Sequence, residues 1–359
     1  MKMYRVLKQS ESINKFAWLA IIAVVATGAS VLAQTPAPAA TPAAAPSATI
    51  SAEAQKAEPQ APAPHAVPAS PFPPVNLKNF TADYPTTALV DAFLKAEWGY
   101  DQDRIWSVAA IQKTPAPGVS RVVVFAANKA QPGKVSDEIF YVTPDGKHAI
   151  ANGVVNFGAN PFADARKMLQ EQANGPAEGA TNSDLLVVEF SDLLNPKSRE
   201  AQDAINNLVK DIPQVRLVFE NLPAEGSQYA VLAATEGVCV RKAKGDAAFF
   251  TYMQSVFSKQ QALTASTLEI ALSAAAAAAG ADPKEVATCA ASQAAKDEVK
   301  ASVALAAAVG VEQVPELAIN GRVVPPASVP YDTLKRIVAY QAKIDGIAVH
   351  VQPSLSTMK

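Results

Sequence analysis

The sequence predicts an α/β sandwich interrupted by a helical insertion and preceded by a smaller α+β unit. Three observations predict it. Leu185–Phe190 is an apolar run, broken only by Glu189, of the kind found in strands buried on both faces. A helix and a second such run, VRLVFEN, follow within about thirty-five residues, the order of a βαβ unit with a right-handed crossover. Downstream, ELAI and RVV flank Asn320-Gly321, a strong short hairpin signal, and lead into a last helix, YDTLKRIVAYQAK.

The chain has 359 residues, enough for two or three domains. A formal charge of −2 lacks the basic footprint of a nucleic-acid binder. His65, His148 and His350 lie far apart, as do the 2 cysteines, so no metal-ligand cluster and no cofactor site is expected.

Residues 1–33 read as an export segment. Lys2, Arg5, Lys8 and Lys15 precede an uncharged run, Phe16 to Ala33. Val31-Leu32-Ala33 ahead of Gln34 suits a signal peptidase, whereas the length of the run suits an uncleaved anchor. Both readings place the rest of the chain in the periplasm or otherwise outside the cytoplasm. Any membrane contact would then be through residues 16–33. Residues 34–76 hold eleven of the 27 prolines, alternating with alanine, and predict an extended polyproline-like spacer.

Residues 77–160 form the small α+β unit. ALVDAFLKAEWG predicts a helix with Thr87 as its cap and Gly99 as its stop. Four strand-like runs follow: RIWSVAAI, SRVVVFA, DEIFYV and HAIANGVV. Thr143-Pro144-Asp145-Gly146 between the last two has the residues of a type I turn. No acid, base or nucleophile here is arranged for chemistry, so the unit reads as a docking or dimerisation module. Residues 161–183 predict a connecting helix and linker, and 184–350 the sandwich itself. Its long helical stretch, Gln228 to Val309, is alanine-rich, and Phe249, Tyr252, Met253 and Phe257 read as core at helical spacing.

VVEFSDLLNPKSREA and VGVEQVPELAINGRVV carry a resemblance to DsbA-type thiol-disulfide oxidoreductases over about Asp184 to Ala342. FYVTPDGKHAIANGVVNF is similar to the N-terminal dimerisation domain of the DsbC and DsbG isomerases. The resemblance implies a thioredoxin-like fold and, through the small unit, a homodimer. It also implies a Cys-x-x-Cys at the start of the helix after the first buried strand, where dipole and free N–H groups stabilise a thiolate.

This chain has Asn195, Pro196, Lys197 and Ser198 there. Asparagine caps helices well and proline suits the first turn, so a helix start without sulfur is expected. Neither an amide nor a hydroxyl exchanges electrons with a disulfide. Ser198 has no activating histidine between His148 and His350, which removes a serine-hydrolase reading.

The resemblance aligns Glu189 with the acid buried beneath the family's cysteine pair. Here it is either a relic or a carboxylate turned to solvent. Val314-Pro315 matches the family's cis-proline loop, whose backbone pairs with extended substrate. Pro196, Lys197, Val314 and Pro315 would therefore contact extended or unfolded polypeptide without a thiol. Cys239 and Cys289 correspond to positions that form a structural disulfide in some relatives; a displaced redox couple and two free thiols are the alternatives. The expected function is that of an exported polypeptide-binding, chaperone-like protein, with oxidoreductase or isomerase activity through Cys239 and Cys289 as the alternative.

Overall fold

The computed structural model describes residues 70–353. The expected export segment and residues 34–69 of the spacer lie outside the described residues. Among the described residues no helix is long and apolar enough to cross a membrane.

Helix α1 (Thr87–Trp98) opens the small unit. Its cap is Thr86, one residue earlier than the sequence suggested; the Thr86 side chain accepts from the Leu89 amide, three residues on. Strands β1 (Arg104–Lys113), β2 (Ser120–Asn128), β3 (Gln131–Val142), β4 (His148–Ile150) and β5 (Val154–Asn156) form one antiparallel sheet in chain order. The expected fourth strand is thus two. The chain folds back within HAIANGVV, where the Ala151 amide donates to the Gly153 carbonyl, and Asn152-Gly153 supplies the turn. Alternate residues of β2 point inward, and Val122 and Val124 pack with Phe140 and Val142 against Val90, Phe93, Leu94 and Trp98 of α1.

After α2 (Ala163–Gln172) comes a second sheet built from β6 (Ala177–Gly179), β7 (Leu186–Ser191), β8 (Arg216–Asn221), β9 (Glu316–Ile319) and β10 (Arg322–Val324), in spatial order β10-β9-β7-β8-β6. Strands β7 and β8 are parallel and are joined through α3 (Pro196–Asp211). Strand β6 lies within the segment 161–183, where a linker is expected after the helix, and adds an antiparallel edge to β8.

Every residue of central β7 is buried, and the pleat divides its apolar run between two faces. Val187 joins Ile205 and Leu208 of α3 and Leu334, Ile337 and Val338 of α9 (Tyr331–Ile344). Leu186, Val188 and Phe190 join Leu169 of α2 and Leu305 of α8 (Gln293–Ala308) on the other face. The insertion between β8 and β9 comprises α4 (Gln228–Lys244), α5 (Asp246–Lys259), α6 (Leu268–Ala278), α7 (Pro283–Ala290) and α8. Phe249, Tyr252, Met253 and Phe257 form its core, as their spacing suggested.

The β9–β10 hairpin does more than turn. Asn320 and Gly321 have φ of 45° and 94°, the left-handed region that asparagine and glycine tolerate best, and a Cβ on Gly321 would lie 2.4 Å from the Phe162 carbonyl oxygen. The Asn320 amide side chain is fully buried, accepts from the Leu186 amide at 2.8 Å and donates to Asp345 at 2.7 Å. Next to it, Arg322 on β10 reaches the last turn of α1. Its guanidinium donates to the Ala96 and Glu97 carbonyls, pairs with the Glu97 carboxylate at 3.5 Å and stacks over Phe162. A cation on the free carbonyls of a helix end is a favourable cap, and this one fastens the small unit to the second sheet.

Candidate functional site

The C-terminal end of β7, the loop after it and the start of α3 make up the candidate site. Asp192 organises the loop: its Oδ1 accepts from the Leu194 amide at 2.8 Å and its Oδ2 from the Ala224 amide at 3.0 Å, beyond the end of β8. Asn195 caps α3 by accepting from the Lys197 amide at 2.9 Å, and Pro196 occupies the first turn, where its missing N–H costs nothing. Gln260, in the turn after α5, donates to the Leu193 and Asn195 carbonyls at 3.0 and 3.1 Å. The insertion therefore holds the loop through its backbone.

At this helix start Pro196 and Lys197 are exposed, whereas Ser198 is fully buried. The Ser198 Oγ accepts from the Asp192 amide at 3.3 Å. It faces the protein interior and holds the loop, which is a structural use of a hydroxyl.

Glu189 lies beneath. It is 1% exposed and so is not turned to solvent. Gln202, one turn after Ser198, donates to its Oε1 at 2.6 Å. Burial raises the carboxyl pKa to about 7; neighbouring Ser191 and Gln202 offset this only in part, and Glu178 adds to it. Among the described residues, the buried side-chain atoms lacking a hydrogen-bond partner are Glu189 Oε2, Ser191 Oγ, Asn221 Oδ1 and Gln260 Oε1. Ser191 and Asn221 pair across β7 and β8, Glu189 is two residues before Ser191, and Gln260 holds the adjoining loop. Unsatisfied polar atoms are costly in an interior, so their collection at one end of one sheet marks a place where polarity is kept against stability.

The second predicted segment reaches the same end through pairing. Glu316, the first residue of β9, is opposite Phe190, so the Val314–Pro315 peptide lies beside the end of β7. That peptide is cis, with Val314 half-buried and Pro315 buried. The Glu316 Oε2 accepts from the Glu312 and Gln313 amides at 2.9 and 3.4 Å and ties down the loop before the proline.

Cys239 and Cys289 are bonded to each other, linking α4 to α7 with a Cα–Cα distance of 5.9 Å. They line a hollow whose walls include neither residues 195–198 nor 314–315. The fold thus brings Glu189, the Asn195–Ser198 helix start and Pro315 to one sheet end and leaves both sulfurs elsewhere.

Sequence reasoning missed Asp192, Gln202, Gln260 and Glu316, which shape the site. Asp192 stood in the quoted EFSDLLNPKS segment, and a short side chain just before a helix start is a recognisable loop former. The two glutamines carried no signal: one acts from within a helix and the other from a distant insertion.

Residues 171–339 match the model of the family described as Thioredoxin. Among solved structures, the chain is similar to a periplasmic thioredoxin-like protein from Salmonella enterica serovar Typhimurium, at 24% identity over 50% of this chain and 96% of that one, with a TM-score of 0.43. The catalytic domain of Proteus mirabilis ScsC matches at 21% identity over 50% of this chain and 98% of that one, with a TM-score of 0.41. Oxidised BdbD from Bacillus subtilis matches at 21% identity, covering 49% and 95%, also with a TM-score of 0.41. No curated protein matches the chain. With parallel β7 and β8 joined through α3, the β9–β10 hairpin, the closing α9 and the helical insertion between β8 and β9, the segment that matches the Thioredoxin family model has a thioredoxin-like fold with a helical insertion.

Proposed function

We propose that this chain is an exported, chaperone-like protein that holds extended or unfolded polypeptides and has lost the redox chemistry of its architecture. One observation carries the reading: both cysteines of the chain are bonded to each other between α4 and α7, so the start of α3 has no thiol and no free cysteine is left to serve it. A mixed disulfide with substrate cannot begin there.

Strand-like pairing of a polypeptide with the backbone beside Val314 needs no sulfur. Exposed Pro196 and Lys197 on one side and half-buried Val314 on the other are the surfaces such a segment would touch. The side-chain-to-backbone bonds from Asp192, Gln260 and Glu316 fix both loops in advance, which lowers the ordering cost of binding. A periplasmic or other extracytoplasmic location fits the basic, then apolar N-terminus and the disulfide. The small unit would pair with a second copy through exposed Ile139, Tyr141, Ile150, Val154 and Val155.

The test uses the exported chain and a cysteine-free unfolded polypeptide. Suppression of its aggregation, weakened several-fold by Val314→Arg or Lys197→Glu, together with no turnover in a disulfide-reduction assay, is the expected result. Disulfide turnover that vanishes in Cys239→Ser would overturn the reading and assign the activity to that pair.

A further inference from the structure

The disulfide is more than a buried staple. Cys239 is 2% exposed, but Cys289 is only half-buried, and the two sulfur-bearing residues share the wall of an open hollow of about 690 Å³. Lys242, Lys244, Asp282 and Glu285 also line the hollow. Lys242 is paired with Glu298 at 2.8 Å, while Lys244 forms no ion pair among the described residues. Cations on the wall shared with the disulfide favour a departing thiolate, while the apolar burial of Cys239 works against it.

Helix α7 is short and is tied to α4 by this bond. It has eight residues, of which only Val286 and Ala290 are buried. Isolated helices shorter than about 12–15 residues are marginal in water, so α7 persists through its attachments. Asp282 caps its N-terminus through the Lys284 and Glu285 amides, and the bond from Cys289 to α4 anchors its last turn. The rest of the insertion has a far larger anchor in Phe249, Tyr252, Met253 and Phe257.

We propose that Cys239–Cys289 is a thiol-exchange site for an external dithiol reductant, and that its reduction releases α7 from α4 while the sheet stays folded. A thiolate of the reductant attacks Cys289 Sγ, the more accessible sulfur. A new S–S bond forms to the reductant, the Cys239–Cys289 bond breaks, and Cys239 leaves as a thiolate that takes up a proton. The second thiol of the reductant then attacks the mixed disulfide and expels Cys289, which is protonated in turn. The reductant departs as a disulfide, having given up two electrons and two protons. Freed of its tie, α7 opens and uncovers part of the apolar cluster that its Val286 and Ala290 share with α4 and α6.

The experiment treats the full chain with dithiothreitol without denaturant, alkylates the free thiols for mass spectrometry, and follows amide hydrogen exchange by peptide. Both cysteines are expected to be alkylated in the folded protein. Exchange across residues 283–290 should rise at least about tenfold on reduction while β7 and β8 stay protected, the mark of local opening. Alkylation only after denaturation would overturn the proposal. So would unchanged exchange in α7, or an equal rise in the sheet. Reoxidation should restore the original exchange pattern; failure to do so would likewise overturn a reversible release. Thiols and amides are read here rather than polypeptide holding, so this result stands or falls separately from the proposed function.

Discussion

Two regions of this protein divide between them what a thiol-disulfide enzyme keeps together. The end of β7 gathers a capped helix N-terminus, a buried carboxyl beneath it and the cis Val314–Pro315 peptide, but Asn195 and Ser198 supply no sulfur. The α4–α7 junction has the sulfur, but Cys239 lies in the next-to-last turn of one helix and Cys289 in the last turn of another. Neither is at a helix N-terminus, where the dipole lowers a thiol pKa. Scaffold and sulfur are thus separate in this chain: Asp192, Gln260 and Glu316 hold the loops at the end of β7 by hydrogen bonds that involve no cysteine.

The comparison breaks most sharply if the sulfur is put back. Asn195→Cys with Ser198→Cys should confer disulfide reductase turnover well above that of the parent chain, read as reduction of a disulfide-bonded protein. A double variant that folds, as judged by circular dichroism, yet stays inactive would show that the helix start no longer supports a thiolate. Next in size is the other region. Cys239→Ser opens a cross-link between residues 50 apart, and the chain-entropy expression puts the loss of unfolding free energy at about 4 kcal/mol. Urea denaturation measures it; a loss near zero would mean that native strain cancels the constraint.

Glu189→Gln sharpens the comparison through pH. The folded pKa, about 7, lies above the usual 4.5, so the folded state holds its proton more tightly than the unfolded state. The stability this gives is complete below pH 4.5 and is lost as pH rises through about 7. At 1.36 kcal/mol per unit, the loss across that window is about 3 kcal/mol. Glutamine keeps the bond to Gln202 and abolishes that part of the slope, so the variant should gain on the parent above pH 7. Glu236, whose pKa is also raised to about 7 chiefly by burial, titrates in both proteins and leaves the difference to Glu189. Parallel stability–pH curves for parent and variant would refute the assignment. The smallest effect is that of Gln260→Ala, which removes donors from the Leu193 and Asn195 carbonyls and should cost about 1–3 kcal/mol, with faster exchange confined to the loop after β7.

Much of the sandwich was legible because its signals are local. The apolar runs of β7 and β8, the Asn320-Gly321 turn and the Asn195-Pro196 helix start each rest on backbone preferences of neighbouring residues. The misses have the same explanation in reverse. Strand β6 is the three residues Ala177–Gly179, without alternation or β-branched residues, and exists because the edge of β8 offers it partners. The split between β4 and β5 was legible in Asn152-Gly153 but was masked by the apolar residues on either side. Gln202 and Gln260 were invisible, since a glutamine announces neither its partner nor its burial until distant segments meet.

By itself the sequence determined the βαβ unit, the β9–β10 hairpin, the absence of sulfur at residues 195–198 and the presence of only two cysteines, because composition and short-range conformational preference are written in neighbouring residues. The tertiary structure decided that those two cysteines meet, that Glu189 is buried with a raised pKa, and that Arg322 fastens the small unit to the sheet. These depend on desolvation and on contacts between segments 50 to more than 200 residues apart, energies that exist only once the chain has closed on itself.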